Sequence, residues 1–329
     1  ADLEQKKLSQ KKYEKETKES FLDIIMEKDK EIKELKLKLS RFPFILEEGE
    51  KITVRDLMKG ISVASGNDAT VAIAEYISGS EEKFVDRMND VIKRLKLKDT
   101  HFVNCTGLDE DNHYSSSYDL AMIARELLMN YPQILEFSSI YEDYLRENTD
   151  NKFWLVNTNK LIRFYDGADG LKTGHTDDAG YCLTATAKRD KLRLIAIVLG
   201  EDNSKTRNSE IMNLLDYGFQ SVRMNCLKQK GSTIESIMFD MADKKVNVVM
   251  KDDLCVLENK GDNASYEYRI RLNNVSLPIK EGDVVGKINV LLNHKVITTG
   301  NLTVSEDVSK IKLATFLKKN FYNLLNGVL

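Results

Sequence analysis

Two apolar runs rich in β-branched residues, Tyr181–Ala187 and Leu192–Leu199, are separated by only four polar residues, Lys188-Arg189-Asp190-Lys191. A connection that short cannot carry a crossover, so the runs must pair antiparallel as a hairpin. The region before them has a helical period. Thr53 followed by Val54-Arg55-Asp56-Leu57-Met58 reads as an N-cap and first turn of a helix continuing toward Ile61 and Val63. Beyond Ser65-Gly66-Asn67-Asp68, the stretch Ala69–Tyr76 sets Val71, Ala72 and Ala74 on a buried helical face. Glu81–Leu95 carries Phe84, Val85, Met88 and Val91 at helical spacing, and Tyr118–Met129 and Ser209–Phe219 read as further helices. Helices around an antiparallel hairpin imply a mixed α/β domain.

The texture changes at three places. Near residue 222 it passes to short alternating segments, Val246–Met250, Tyr266–Leu272, Val284–Leu292 and Val296–Val304, broken by Lys260-Gly261-Asp262-Asn263 and Lys280-Glu281-Gly282-Asp283, the pattern of a small all-β domain. At the start, 21 of the first 40 residues are Lys, Arg, Asp or Glu, and pairs such as Glu14–Lys18 favour a solvated helix that partly docks on the adjoining domain. At the end, Ile311, Leu313, Phe316, Leu317, Phe321, Leu324, Leu325 and Val328 form an apolar side beside Lys310, Lys312, Lys318 and Lys319. Such a basic amphipathic helix can lie in a membrane interface, or pack on its own domain or a partner. The expected division is a charged helical segment over 1–45, a mixed domain over 46–221, a β-rich domain over 222–306 and an amphipathic helix over 307–329.

Composition excludes several function classes. A balance of 49 Lys+Arg against 52 Asp+Glu gives no net charge for holding a nucleic acid. Four cysteines, Cys105, Cys182, Cys226 and Cys255, lie far apart with no CxxC pair, which argues against thiolate zinc and excludes a dense disulfide framework. No run of about 18 apolar residues marks a transmembrane helix. The opening Ala1-Asp2-Leu3-Glu4 reads as a processed or truncated start, with any export signal out of view.

Two triplets carry chemistry: Ser65-Gly66-Asn67 at a loop-to-helix junction, and Lys172-Thr173-Gly174 between the turn-rich Asp166–Gly170 and the strand from Tyr181, 107 residues further on. Taken singly, each is equally well a turn entering a helix or a strand. In this order they match the second and third elements of the penicillin-binding protein and β-lactamase set. The flanks agree: Val63-Ala64 before the first triplet and Asp68-Ala69 after it, Asp169-Gly170-Leu171 before the second and His175-Thr176 after it, and Asn157-Thr158-Asn159-Lys160-Leu161 between. Over residues 46–220 the chain resembles the serine-type D-alanyl-D-alanine carboxypeptidases, the low-molecular-mass penicillin-binding proteins.

That resemblance implies a transpeptidase-like α/β fold, an antiparallel sheet flanked by helices, N-terminally incomplete, with the β domain and C-terminal helix as stalk and membrane anchor. It implies cleavage of the terminal D-Ala–D-Ala amide of peptidoglycan stem peptides through an acyl-serine intermediate, acylation by β-lactams, action outside the cytoplasmic membrane, and no metal or organic cofactor. By the same resemblance Lys172 supplies positive charge, Thr173 contacts the substrate carboxylate, and Gly174 keeps the strand edge open. The His175 N–H forms half of the oxyanion hole, Ser65 relays a proton to the departing D-alanine, Asn67 holds the acyl-side amide, and Arg207 is a second carboxylate-binding group. His113 anchors a loop, the ring of His175 is structural, and the lone Trp154 packs.

The family's first element is Ser-x-x-Lys. Ser9/Lys12, Ser80/Lys83 and Ser309/Lys312 match it formally, but the last two follow Ser65, and Leu8–Tyr13 is too polar for a buried nucleophile helix. An alternative alignment through Phe21–Glu27 makes Lys18 the family lysine and puts Lys15 at the serine position. The enzyme is therefore weighed against a non-catalytic, membrane-associated peptidoglycan-binding protein. A class A β-lactamase shares the two triplets but not the β domain or terminal helix.

Overall fold

Thr53 opens the first helix by accepting the Asp56 N–H at 3.1 Å and donating to the Asp56 carboxylate at 2.8 Å, which satisfies a free donor of the first turn. A computed structural model describes residues 45–312 apart from 48 and 263, together with residue 315. The anticipated N-terminal helix, with Ser9, Lys12, Lys15 and Lys18, lies outside the described residues, as does most of the C-terminal one.

The chain forms two compact units, one up to Leu215 and one from Asp216. In the first, α1 (Val54–Ala64), α2 (Asn67–Ser78), α3 (Glu81–Leu95) and α4 (Ser117–Asn130) precede two short helices, α5 (Leu135–Ser138) and α6 (Leu161–Phe164). Between those two stands a small hairpin, β1 (Glu142–Leu145) and β2 (Phe153–Val156). A three-stranded antiparallel sheet follows in the order β3 (Ala168–Thr176), β4 (Gly180–Arg189), β5 (Leu192–Glu201). Helix α7 (Ser204–Ser221) then crosses the division between the units.

Most helices fall where their period places them, with two differences. In α2 the buried residues are Ala69, Ile73 and Ala74, leaving Val71 and Ala72 half-buried. Leu57 of α1 joins Ala69 and Ile73 in one cluster, so contact with α1 sets the rotation of the helix. Helix α7 begins five residues before Ser209 and so takes in Arg207.

Strand β3 begins at Ala168, inside the segment that reads as a turn. Gly167, at φ 82°, makes the turn ahead of it, and a Cβ on Gly170 would come within 2.8 Å of Ser138 Oγ. The strand is fixed across the sheet, where Arg193 makes two 2.7 Å bonds to Asp169 and one of 2.9 Å to Thr186. The hairpin read from Tyr181 to Leu199 is present as β4 and β5. Leu183, Ala185 and Ala187 on its inner face have no exposed surface.

From Val222 to residue 312 the second unit is built of β-strands and their connections. A sheet ordered β10-β11-β12-β8-β7 is built from β7 (Thr233–Ile237), β8 (Val246–Met250), β10 (Glu267–Leu272), β11 (Gly286–Leu292) and β12 (Lys295–Val304). Beside it β6 (Val222–Lys228) pairs with β9 (Leu254–Asn259). Residues 308 and 310, placed by sequence in the terminal helix, instead bridge to Ile279 and Ala242.

Cys226 and Cys255 face each other across β6 and β9 and form a disulfide. With 29 residues of separation, cross-linking the unfolded chain stabilises this unit by about 3–4 kcal/mol. Reduction, or Cys226→Ser, is expected to remove that amount, read as a lowered denaturant midpoint of the second unit.

Candidate active site

Ser65 ends α1 in the left-handed conformation, at φ 58° and ψ 40°, a costly backbone for a residue with a Cβ. The reversal starts α2 one residue beyond Gly66. A Cβ on Gly66 would run into Ile45, which is wholly buried beneath it. Asp68, in the first turn of α2, clamps that neighbour by accepting the N–H groups of Ile45 at 2.6 Å and Leu46 at 2.7 Å. This local packing holds Ser65 and Asn67 on one wall of a cleft of about 870 Å³.

The facing wall is β3. Lys172 Nζ donates to Ser65 Oγ and to the Thr173 carbonyl oxygen at 2.7 Å, so the two triplets meet through a direct hydrogen bond. Thr173 Oγ1 donates to Thr158 Oγ1 at 2.7 Å, and Thr158 Oγ1 lies 3.4 Å from Ser65 Oγ. Thr158 thus joins the site as a residue to which the sequence reading gave no role. Its signal was present in Asn157-Thr158-Asn159, where both asparagines are buried and the threonine between them is exposed.

The asparagines hold that segment. Asn157 donates to the Ile140 carbonyl at 2.7 Å and the Ser138 carbonyl at 3.2 Å, and its side-chain oxygen accepts the Asn159 N–H at 2.8 Å. Asn159 donates to the Gly170 carbonyl at 3.1 Å, tying the segment to β3.

Gly174 and His175 are exposed beyond Thr173. A Cβ on Gly174 would meet only Cys182 Cβ, at 3.7 Å, so internal packing does not demand glycine there. The His175 ring rests on Tyr181 with centroids 4.0 Å apart, in accord with a structural imidazole. His113 likewise holds a loop, its Nδ1 accepting the Val103 N–H at 3.2 Å, and burial lowers its pKa.

Two cations sit in the cleft. Arg207 is 5% exposed and makes its bonds to Asn208 Oδ1, at 2.9 and 3.1 Å, and to the Cys182 carbonyl at 3.5 Å. Among the described residues no carboxylate pairs with it. Removal from water, reinforced by the Arg207 charge, pulls Lys172 down to a pKa of about 8. On the other wall Asn67 Nδ2 is buried with no hydrogen-bond partner among the described residues. An unsatisfied donor and two cations without an acidic partner among the described residues suit a ligand with a carbonyl and a carboxylate. Among the described residues no group of three or more His, Cys, Asp or Glu is placed to hold a metal.

The Lys172 pKa has two consequences of opposite sign. Binding of a carboxylate is expected to weaken as pH rises through about 8, because the site loses its ammonium. Without ligand, the unfolded chain keeps this proton to about 10.5 while the folded one sheds it near 8, so between those values rising pH stabilises the fold. Ligand affinity and thermal melting against pH, with Lys172→Met as the reference that lacks both trends, measure the two effects.

Neither described Ser-x-x-Lys match is among the residues lining the cleft. Ser80 is the N-cap of α3 and accepts the Lys83 N–H at 3.3 Å, while Ser309 belongs to the second unit and donates its N–H to Asp243 at 3.3 Å. Ser9/Lys12 and the Lys15/Lys18 alignment lie outside the described residues.

Residues 8–203 match the family model described as D-alanyl-D-alanine carboxypeptidase, and residues 223–310 the model of the penicillin-binding protein 5 C-terminal domain. The chain is 44% identical over 277 residues to D-alanyl-D-alanine carboxypeptidase DacF of Bacillus subtilis, covering 83% of this chain and 71% of that one. Among solved structures, a peptidoglycan synthesis regulatory factor (PBP3) from Streptococcus pneumoniae superposes with a TM-score of 0.64 at 28% identity, over 82% of this chain and 80% of that one. Penicillin-binding protein 5 from Haemophilus influenzae gives 0.58 at 33% identity, over 82% and 78%. With the two triplets meeting in one cleft and both units matched, the chain belongs to the D-alanyl-D-alanine carboxypeptidase family.

Proposed function

We infer that the protein is a serine-type D-alanyl-D-alanine carboxypeptidase that removes the terminal D-alanine of peptidoglycan stem peptides. The observation that carries this is the convergence of Ser65, Lys172, Thr173 and Arg207 on one cleft of a family member. In the reaction, a serine oxygen attacks the carbonyl carbon between the two D-alanines, the C–N bond breaks, and the amine of the departing D-alanine takes up the proton. Water then hydrolyses the acyl-serine ester and frees the shortened peptide.

The roles follow from the chemistry available. Lys172 and Thr173 hold the terminal carboxylate, with buried Arg207 as a second cation that has no acidic partner among the described residues. Ser65, hydrogen-bonded to Lys172, passes the proton to the leaving amine. Asn67 offers its unpaired Nδ2 to the acyl-side carbonyl. The exposed strand end at Gly174 leaves room for the His175 N–H to stabilise the tetrahedral oxyanion. The sequence alignment that would make Lys18 the family lysine puts Lys15 at the serine position and so does not name the attacking serine. β-Lactams present a reactive amide and a carboxylate to the same groups. Action outside the cytoplasm is supported by the Cys226–Cys255 disulfide, a bond favoured in oxidising compartments. The basic amphipathic sequence after residue 307 would hold the protein at the membrane surface; no helix among the described residues is long and apolar enough to cross a membrane.

A second reading, stem-peptide binding without turnover, is favoured by one observation: neither Ser80 nor Ser309 is among the residues lining the cleft, and Lys15 stands at the aligned serine position. Incubation with a fluorescent penicillin and assay of released D-alanine separate the two. Carboxypeptidase activity gives a covalent adduct and free D-alanine; saturable peptide binding with neither supports the second reading.

A further inference from the structure

Trp154, the chain's single tryptophan, does not pack in the core: it is 57% exposed. It stands in a row. From 154 to 160, Trp154, Val156, Thr158 and Lys160 keep exposed surface, while Leu155, Asn157 and Asn159 between them are buried. Val156 shares Trp154's face of β2 and lines the cleft together with Thr158 and Lys160 beyond the strand end, so Trp154 is the next residue along that face from the cleft wall.

Across the hairpin Trp154 is the register partner of Tyr144, which puts both rings on one face, and Tyr144 is also exposed. Lys152, two residues before Trp154, holds its ammonium 3.7 Å from the Tyr144 ring centroid. Beside the cleft mouth there is therefore an exposed pair of aromatic rings, with the Lys152 ammonium lying over the Tyr144 ring and Trp154 the more open of the two.

We propose that the Tyr144–Trp154 face is a saccharide subsite, holding the sugar to which the stem peptide is attached. This rests on the reading of the cleft as a stem-peptide site. Four residue steps lead from Trp154 to Thr158, a span of at most about 14 Å, whereas an extended five-residue peptide reaches about 17 Å. A stem whose last residue lies at Thr173 and Thr158 can thus deliver its sugar onto Trp154. The chemistry of the face selects a sugar over more peptide. Ring planes accept the C–H side of a pyranose and leave its hydroxyls to water and Lys152. A sheet face offers no backbone N–H or C=O, so a peptide laid on it would gain no main-chain hydrogen bonds from the protein.

Trp154 is its own reporter. Three ligands are titrated by calorimetry and tryptophan emission: a disaccharide-linked pentapeptide with a non-cleavable ketomethylene in place of the terminal amide, the same peptide without sugar, and the disaccharide alone. The sugar-bearing peptide is expected to shift the emission saturably and to bind about 10-fold more tightly than the sugar-free one. Trp154→Ala should bring the sugar-bearing ligand down to the sugar-free affinity and leave the sugar-free one unchanged. Tyr144→Ala, which keeps the reporter, should weaken only the sugar-bearing ligand. Equal affinity of the two peptides for the unaltered protein, or equal weakening of both by Trp154→Ala, overturns the subsite. If disaccharide and sugar-bearing peptide shift the emission alike while the sugar-free peptide does not bind, the subsite stands and the stem-peptide reading of the cleft fails. Absence of binding by all three overturns both.

Discussion

Replacing Lys172 by methionine is expected to lower kcat/KM for D-alanine release by about 10³-fold, the scale seen when a preorganised charge is removed from a reacting centre. The side chain links the two walls by its bonds to Ser65 Oγ and the Thr173 carbonyl, and it is the cation next to the attached carboxylate in the proposed complex. Methionine keeps the bulk and loses the charge. Its pKa of about 8 means that the fold holds this ammonium at a cost, so the variant should melt at the same temperature or higher. Steady-state kinetics with a peptide ending in D-Ala–D-Ala, alongside thermal melting, reads both quantities. A loss below 10-fold in a folded variant would remove Lys172 from the centre of the site.

Asn157→Ala is expected to destabilise the first unit by about 3 kcal/mol, since three buried or half-buried backbone groups lose their partner at once. These are the carbonyls of Ser138 and Ile140 and the N–H of Asn159, around a side chain only 1% exposed. At this size the loss corresponds to a melting temperature lower by roughly 6–12 °C. Thr158 is the next residue and bonds to Thr173, so slack here should also weaken carboxylate binding. A melting temperature unchanged within a degree would show that water replaces the missing amide.

What the sequence made legible was what local chemistry decides. The hairpin at Tyr181–Leu199, the cap at Thr53 and the helix Glu81–Leu95 depend on short-range pattern, and each is present. Ser65, Asn67, Lys172 and Thr173 were nameable because the triplets and their flanks are specific, although the contact that unites them spans 107 residues. Thr158 and Trp154 were not. Each owes its position to buried neighbours, and a single alternating row says nothing of which face meets the cleft.

The β-rich unit was read in part for a related reason. Its strand β9 turns a glutamate inward: Glu258 is 7% exposed and accepts hydrogen bonds from Asn225 at 2.8 Å, Tyr266 at 2.7 Å and Arg223 at 3.1 Å. A charged residue at an inward position breaks the alternation by which a strand is recognised. Strand β3 was hidden by Gly167 and Gly170, which mark a turn in sequence but serve turn and close approach together in the fold.

Everything proposed for the cleft requires that it grip a terminal carboxylate. The direct measurement is equilibrium binding of the sugar-free ketomethylene peptide as the free acid and as its C-terminal amide. With Lys172, Thr173 and Arg207 around that group, the acid should bind about 100-fold more tightly, and the difference should shrink above pH 8 as Lys172 loses its proton. Equal affinity of acid and amide at neutral pH would contradict the account.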